Sequence, residues 1–233
     1  MRRPLIFIAV AGALGSFVVS TPSVVPSGLH WALAGTASSA SGLACGSTAS
    51  NSTQVTLPFT PGDRLAITLP GSVRYRPGDK AEAVVTGDAA LVDHVRIEDG
   101  TLGLDCEPSS SRLEIDLTGP AITQWKLQSS ANLALTDVSQ RQLQLTMTGS
   151  GNVIATGAVE TIGLKITGLG SAQLKRLIAK SAEIETTGSG RAGVTAEMSA
   201  DVSITGSGNV ELFGRPTLGR SKTTGSGRII QAP

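Results

Sequence analysis

The chain has 233 residues with 19 basic and 18 acidic side chains, a net charge of +1 that offers nucleic acid no basic field. Aromatic residues make up 3% of the chain against 40% hydrophobic residues in all, which excludes an aromatic sugar platform and a large aromatic core. A narrow core of Val, Ile, Leu and Ala remains open to it.

The elements begin with a leader. Arg2 and Arg3 precede an apolar run from Leu5 to Val19, and no acidic residue occurs before Asp63. That pattern matches a secretory signal better than a membrane span, which needs about 20 apolar residues. Val18-Val19-Ser20 and Ala32-Leu33-Ala34 both offer small residues for cleavage. Residues 1–34 are read as the signal peptide, with an uncleaved anchor as the other reading and the only route to a membrane. Residues 35–53, rich in Ser, Ala, Gly and Thr, read as a flexible tether. The expected location is the periplasm, the cell envelope or the medium.

Cys45 and Cys106 are the two cysteines. In an exported chain they read as one disulfide, worth roughly 3–4 kcal/mol in the chain-entropy account of loop closure. The rival reading is a lipidated Cys45, because Leu43-Ala44-Cys45-Gly46 faintly resembles a lipobox.

From residue 54 the signals are those of strands. Leu65 to Leu69, Val73 to Arg76, Ala81 to Thr86, Leu91 to Ile97, Thr101 to Leu104 and Arg112 to Leu117 form short apolar runs, several of them alternating. Pro70-Gly71, Pro77-Gly78-Asp79 and Gly87-Asp88 separate them as turns, and Asp99-Gly100 predicts a tight hairpin. No amphipathic helix pattern follows the leader. Residues 54–117 are expected to form the first, irregular turns of one all-β body spanning 54–233.

Residues 118–233 carry a repeat. Thr-Gly-x-Gly phrases begin at Thr148, Thr167, Thr187, Thr205 and Thr224, and a degenerate copy lies at Gln128 to Asn132. The successive intervals are 20, 19, 20, 18 and 19 residues. A period near 19 is that of a solenoid, each repeat one coil stacked on the last. Alternation on both sides of each phrase makes the coils strands rather than helices. Leu145, Leu164, Ile184 and Val202 align as one buried ladder, and Val153, Ala172, Ala192, Val210 and Ile229 as another.

The paired glycines (Gly149 and Gly151, Gly168 and Gly170, Gly188 and Gly190, Gly206 and Gly208, Gly225 and Gly227) read as coil corners. A Walker loop is excluded because no Gly-Lys-Ser/Thr follows them. The calcium-binding nonapeptide needs an Asp after its glycines, where this chain has Asn152, Ser171, Arg191, Asn209 and Arg228.

The outward columns hold little chemistry. One reads Thr146, Lys165, Glu185, Ser203, Lys222, and its neighbour Gln144, Gly163, Glu183, Asp201, Arg220. Opposite charges adjoin in both, as a solvated face requires, and Glu183 beside Asp201 is the one pair of like carboxylates. His94 reads as a polar outward residue of its strand, and Trp125 as core or cap. No catalytic residue, metal ligand or cofactor is assigned.

Three features together resemble one family. They are the turn-bounded stretch Leu69 to Lys80, the segment Val92 to Leu102 with its Glu-Asp-Gly-Thr-Leu end, and the later Thr-Gly-Ser-Gly series. Together they look like the autotransporter adhesin, head GIN domain family, over roughly residues 55–230. The resemblance implies a bacterial, exported, right-handed parallel β-helix with no catalytic motif. The expected role is therefore a non-enzymatic binding, adhesion or structural module. Its partner would be a surface glycan or protein, or a second copy meeting it at the solenoid ends. The alternative is a polysaccharide lyase or hydrolase on the same scaffold.

Overall fold

The computed structural model describes Cys45 and residues 53–60, 62–108 and 113–232. The leader 1–34 lies outside them, as does the tether 35–53 apart from Cys45 and Thr53. The described chain is a β-solenoid of about six turns.

The regular coils are laid down by β8 (Gln124–Leu127), β9 (Asn132–Gly149), β10 (Asn152–Gly168), β11 (Ser171–Gly188), β12 (Arg191–Gly206), β13 (Asn209–Phe213), β14 (Thr217–Gly225) and β15 (Arg228–Gln231). Each long strand runs from one glycine phrase to the next and pairs in parallel with the strands before and after it. The alternation seen in the sequence becomes alternation between core and solvent. Leu164 faces Leu145 on one side and Ile184 on the other, and Ile184 faces Val202. Trp125 and Leu65 extend the same ladder toward the N-terminus. Val153, Ala172, Ala192, Val210 and Ile229 form the second ladder, in register from strand to strand. The ladder residues of the inner coils are buried, and each Leu or Ile so buried contributes roughly 1.5–3 kcal/mol.

A third ladder has one irregularity. Leu127, Met147, Ile166, Thr186 and Ile204 stack in order, so a hydroxyl sits among aliphatic side chains. Thr186 is fully buried and its Oγ1 has no hydrogen-bond partner. In the last coil the pattern turns polar: Ser221 stands over Val202 and Thr223 over Ile204, both exposed.

The corners have steric causes. Gly206 stands at φ 116°, and a Cβ there would lie 2.4 Å from the carbonyl oxygen of Gly188 in the coil beneath. A Cβ on Gly208 would meet the Gly190 oxygen at 2.8 Å and the Thr186 methyl at 2.7 Å. Stacked backbones about 4.8 Å apart leave no room for a side chain pointing along the stack. A second bend lies between successive phrases, and the repeat phrase does not mark it. There the register shifts between β10 and its neighbours, beside Gly157 at φ 128°.

The N-terminal part is built differently. Its elements are β1 (Gln54–Pro58), β2 (Arg64–Ile67), β3 (Ser72–Pro77), β4 (Glu82–Gly87), α1 (Ala89–Val92), β5 (Val95–Glu98), β6 (Thr101–Leu104) and β7 (Leu113–Gly119). β2 and β3 make one rung, on which β8 and the start of β9 stack from one side. β6 and β7 stack on the other side, also in parallel. The chain thus lays the middle rung first, returns through residues 82–119 to build the rung outside it, then crosses to Gln124. Antiparallel strands finish this end: β4 on β7, β1 on β4, and β5 on β6. The hairpin at Asp99-Gly100 has both residues at positive φ, 48° and 68°.

One expected strand is corrected. Leu91 and Val92 end the short helix α1, Asp93 and His94 form a turn, and only Val95–Glu98 is strand. Asp88 causes it by accepting a hydrogen bond from the Ala90 N–H as N-cap, while Leu91 and Val92 turn their side chains into the core.

Tyr75 and Trp125 pack against each other in the interior, their ring centroids 5.0 Å apart. The indole Nε1–H donates to the Ile122 carbonyl at 3.2 Å, and the Tyr75 hydroxyl donates to that of Pro120 at 2.8 Å. Trp125 is core, 2% exposed.

Candidate functional site

The two cysteines meet at the N-terminal end. Cys45 and Cys106 form a disulfide with Cα atoms 5.1 Å apart, and the Cys45 N–H donates to the Glu107 carbonyl at 3.1 Å. The bridge pins the end of the tether beside β6.

His94 departs from the outward position expected of it. It follows α1 rather than lying in a strand, and its Nδ1 sits 2.6 Å from the Asp105 carboxylate, whose other oxygen is 2.8 Å from Arg96. Cys106 is adjacent, but its sulfur is committed to the disulfide, so the group offers no thiolate while the bridge is closed.

The outward columns of the first sheet face stack as the period dictates. Lys165 Nζ lies 2.9 Å from Glu185, and Arg220 reaches Asp201 at 4.0 Å. Glu183 and Asp201 are direct register partners. Asp201, however, also accepts the backbone N–H of Arg220 at 2.5 Å, which ties that carboxylate into the next coil. Nearby, Lys180 holds the Glu160 carboxyl below its ordinary range by a 3.0 Å hydrogen bond and its charge, with Arg141 adding to the effect.

The second sheet face carries a groove of about 490 Å³ crossing four successive coils. Its columns follow from the residues just after each phrase. Ser171, Arg191, Asn209 and Arg228 stack as partners in one column, and Gln173, Gly193, Glu211 and Ile230 in the next. Asn152 and Asn132 continue the first column toward the N-terminus, joined by an amide hydrogen bond of 3.0 Å.

Gly193 opens the groove. It has no side chain between Gln173 and Glu211, and a Cβ there would touch Lys175 at 3.4 Å. The Lys175 side chain uses that space. Its Nζ rests 4.2 Å from the centre of the Phe213 ring and 3.2 Å from Glu211, which fixes one wall.

The sequence marked this column only as the positions where a calcium repeat fails. It did not mark Lys175, Gly193, Glu211 or Phe213. The available signal was two arginines, Arg191 and Arg228, at the same phase of the repeat.

The sequence profile of the family described as "Putative auto-transporter adhesin, head GIN domain" matches residues 63–216. The chain belongs to that family. Three solved structures are similar to it. A putative adhesin from Bacteroides fragilis is 18% identical and superposes with a TM-score of 0.51, covering 77% of this chain and 97% of its own. A putative lipid binding protein from Parabacteroides distasonis is 20% identical, with a TM-score of 0.48 and coverages of 78% and 98%. A putative adhesin from Parabacteroides merdae is 15% identical, with a TM-score of 0.41 and the same coverages. No curated protein matches the chain.

Proposed function

We propose that this head GIN protein is an exported, non-enzymatic module of the cell envelope that binds a surface ligand along a strand-lined face. Its organisation would be a signal peptide over 1–34, a tether over 35–53 and the binding solenoid over 54–233. Family membership and the disulfide support an envelope or extracellular setting.

The observation that carries the reading is the groove over Ser171, Arg191, Asn209 and Arg228. A solenoid turns one repeated position into a straight row of side chains on a rigid backbone, which suits an extended ligand of regular repeat. A glycan-array and pull-down screen of the exported protein tests it. Saturable retention of a surface glycan or an envelope protein is the expected result. Turnover of a polymer by the purified protein would replace this reading with an enzyme built around Glu183 and Asp201, and a screen with no retained ligand would sink it.

A further inference from the structure

We infer that the groove is a track for an acidic polysaccharide, with Arg191 and Arg228 each taking a carboxylate on alternate sugars and Asn209 a hydroxyl between them. This rests on the binding reading above and names its ligand class.

The charge of the groove is the first argument. Three cations line it, Lys175, Arg191 and Arg228, against the single carboxylate Glu211, a balance of 3 − 1 = +2. Lys175 and Glu211 pair with each other. Arg191 and Arg228 have no carboxylate partner among the described residues, whereas Arg74, Lys80, Arg96, Lys165, Lys175, Lys180 and Arg220 each have one. Two unpaired guanidiniums therefore face one concavity. A guanidinium presents a planar fork that matches a carboxylate by two parallel hydrogen bonds.

Spacing is the second argument. Arg191 pairs in register with Asn209, and Asn209 with Arg228, so the two guanidiniums stand two coils apart, about 9.6 Å at the strand spacing. An extended pyranose chain advances by about one strand spacing per sugar. In a two-fold ribbon, alternate sugars turn the same edge to one side. Carboxylates on alternate sugars then meet arginines on alternate coils.

The third argument is the continuation. From Arg191 toward the N-terminus the same column reads Ser171, Asn152 and Asn132, all uncharged hydrogen-bonding side chains. No acidic residue stands in this column over the six coils.

Other macromolecules fit less well. Single-stranded nucleic acid needs exposed stacking rings, and Phe213 is covered by the Lys175 ammonium. A protein interface needs an apolar centre, whereas here seven of the twelve lining residues are polar or charged and Lys175, Arg191, Glu211 and Arg228 carry charge.

The test uses the exported full chain with three probes: hyaluronan, which carries a carboxylate on every second sugar, dextran as a neutral chain, and dextran sulfate. Binding is measured by calorimetry at two salt concentrations. The expected result is binding to hyaluronan that weakens with salt and little binding to dextran. Arg191→Ala with Arg228→Ala should lower hyaluronan affinity by about tenfold or more, and Lys222→Ala, on the other sheet face, should leave it unchanged. Matching melting curves confirm that the variants fold. Hyaluronan binding untouched by the double substitution overturns the track, as does dextran sulfate binding equal to that of hyaluronan. If the chain retains only a neutral glycan or a protein, with the double variant unaffected, the track fails while the binding reading survives. No binding to any probe or screened ligand removes both.

Discussion

Thr186 is the residue at which the interior departs from its own rule. Its hydroxyl is buried without a partner between Ile166 and Ile204, and an unpaired buried hydroxyl costs about 1–3 kcal/mol. Thr186→Val, close in shape, should therefore raise the denaturant midpoint by an amount worth about 1 kcal/mol at constant slope; a lower midpoint would show that the hydroxyl has a partner. Tyr75 gives the fold a limit in base. Burial pushes its phenol above the ordinary value, against a smaller downward pull from a backbone hydrogen bond at Ile122. The folded chain thus holds this proton more tightly than the unfolded chain, which releases it near pH 10. The stabilisation is complete below about pH 10 and disappears as the pH rises from there through the folded value. Tyr75 is the only tyrosine, so tyrosinate absorbance reads it directly. Its titration should move upward in the folded chain, and the melting point of Tyr75→Phe should fall less steeply above pH 10 than that of the wild type. Tyrosinate appearing at the free value would refute this.

At the scale of the element, the corner phrase decides whether coils can stack. Gly206→Ala places a methyl against the Gly188 carbonyl at a φ that L-residues avoid, and the cost should be about 2–3 kcal/mol. Gly163→Ala is the control: its added Cβ finds only the flexible Gln144 side chain, at 3.7 Å. Chemical denaturation of the two variants should separate them clearly, and equal midpoints would mean the corners yield. The strands themselves were readable from alternation alone, because one face of each is buried. The helix at Ala89–Val92 was not. Its residues are as apolar as a strand's, and what selects the helix is the Asp88 cap together with the need to bury Leu91 and Val92.

At the scale of the molecule, each coil touches mainly its neighbours, so stability should be assembled locally. The Cys45–Cys106 bridge spans 61 residues of sequence and closes the N-terminal end, where loop closure is worth roughly 4 kcal/mol. Reduction, or Cys106→Ser, should speed hydrogen exchange in β5 and β6 first while the β10–β11 ladder stays protected. Uniform loss of protection across all coils would show that the stack unfolds as one unit. The candidate groove belongs to the same scale. It lies on a part of the stack remote in sequence from the bridge, and its opening depends on side chains from four successive coils.

The sequence alone determined that the coils repeat near every 19 residues, that they are strands, and which side chains stack inside them. A fixed period with alternating polarity leaves a chain no other way to bury its aliphatic face. Only the tertiary structure decided the order of the first three rungs, the antiparallel finish of that end, and the groove walled by Lys175 over Gly193. Chain order does not specify which edge a non-repeating strand will join. A concavity arises from residues about 20 apart whose side chains meet only once the coils are stacked.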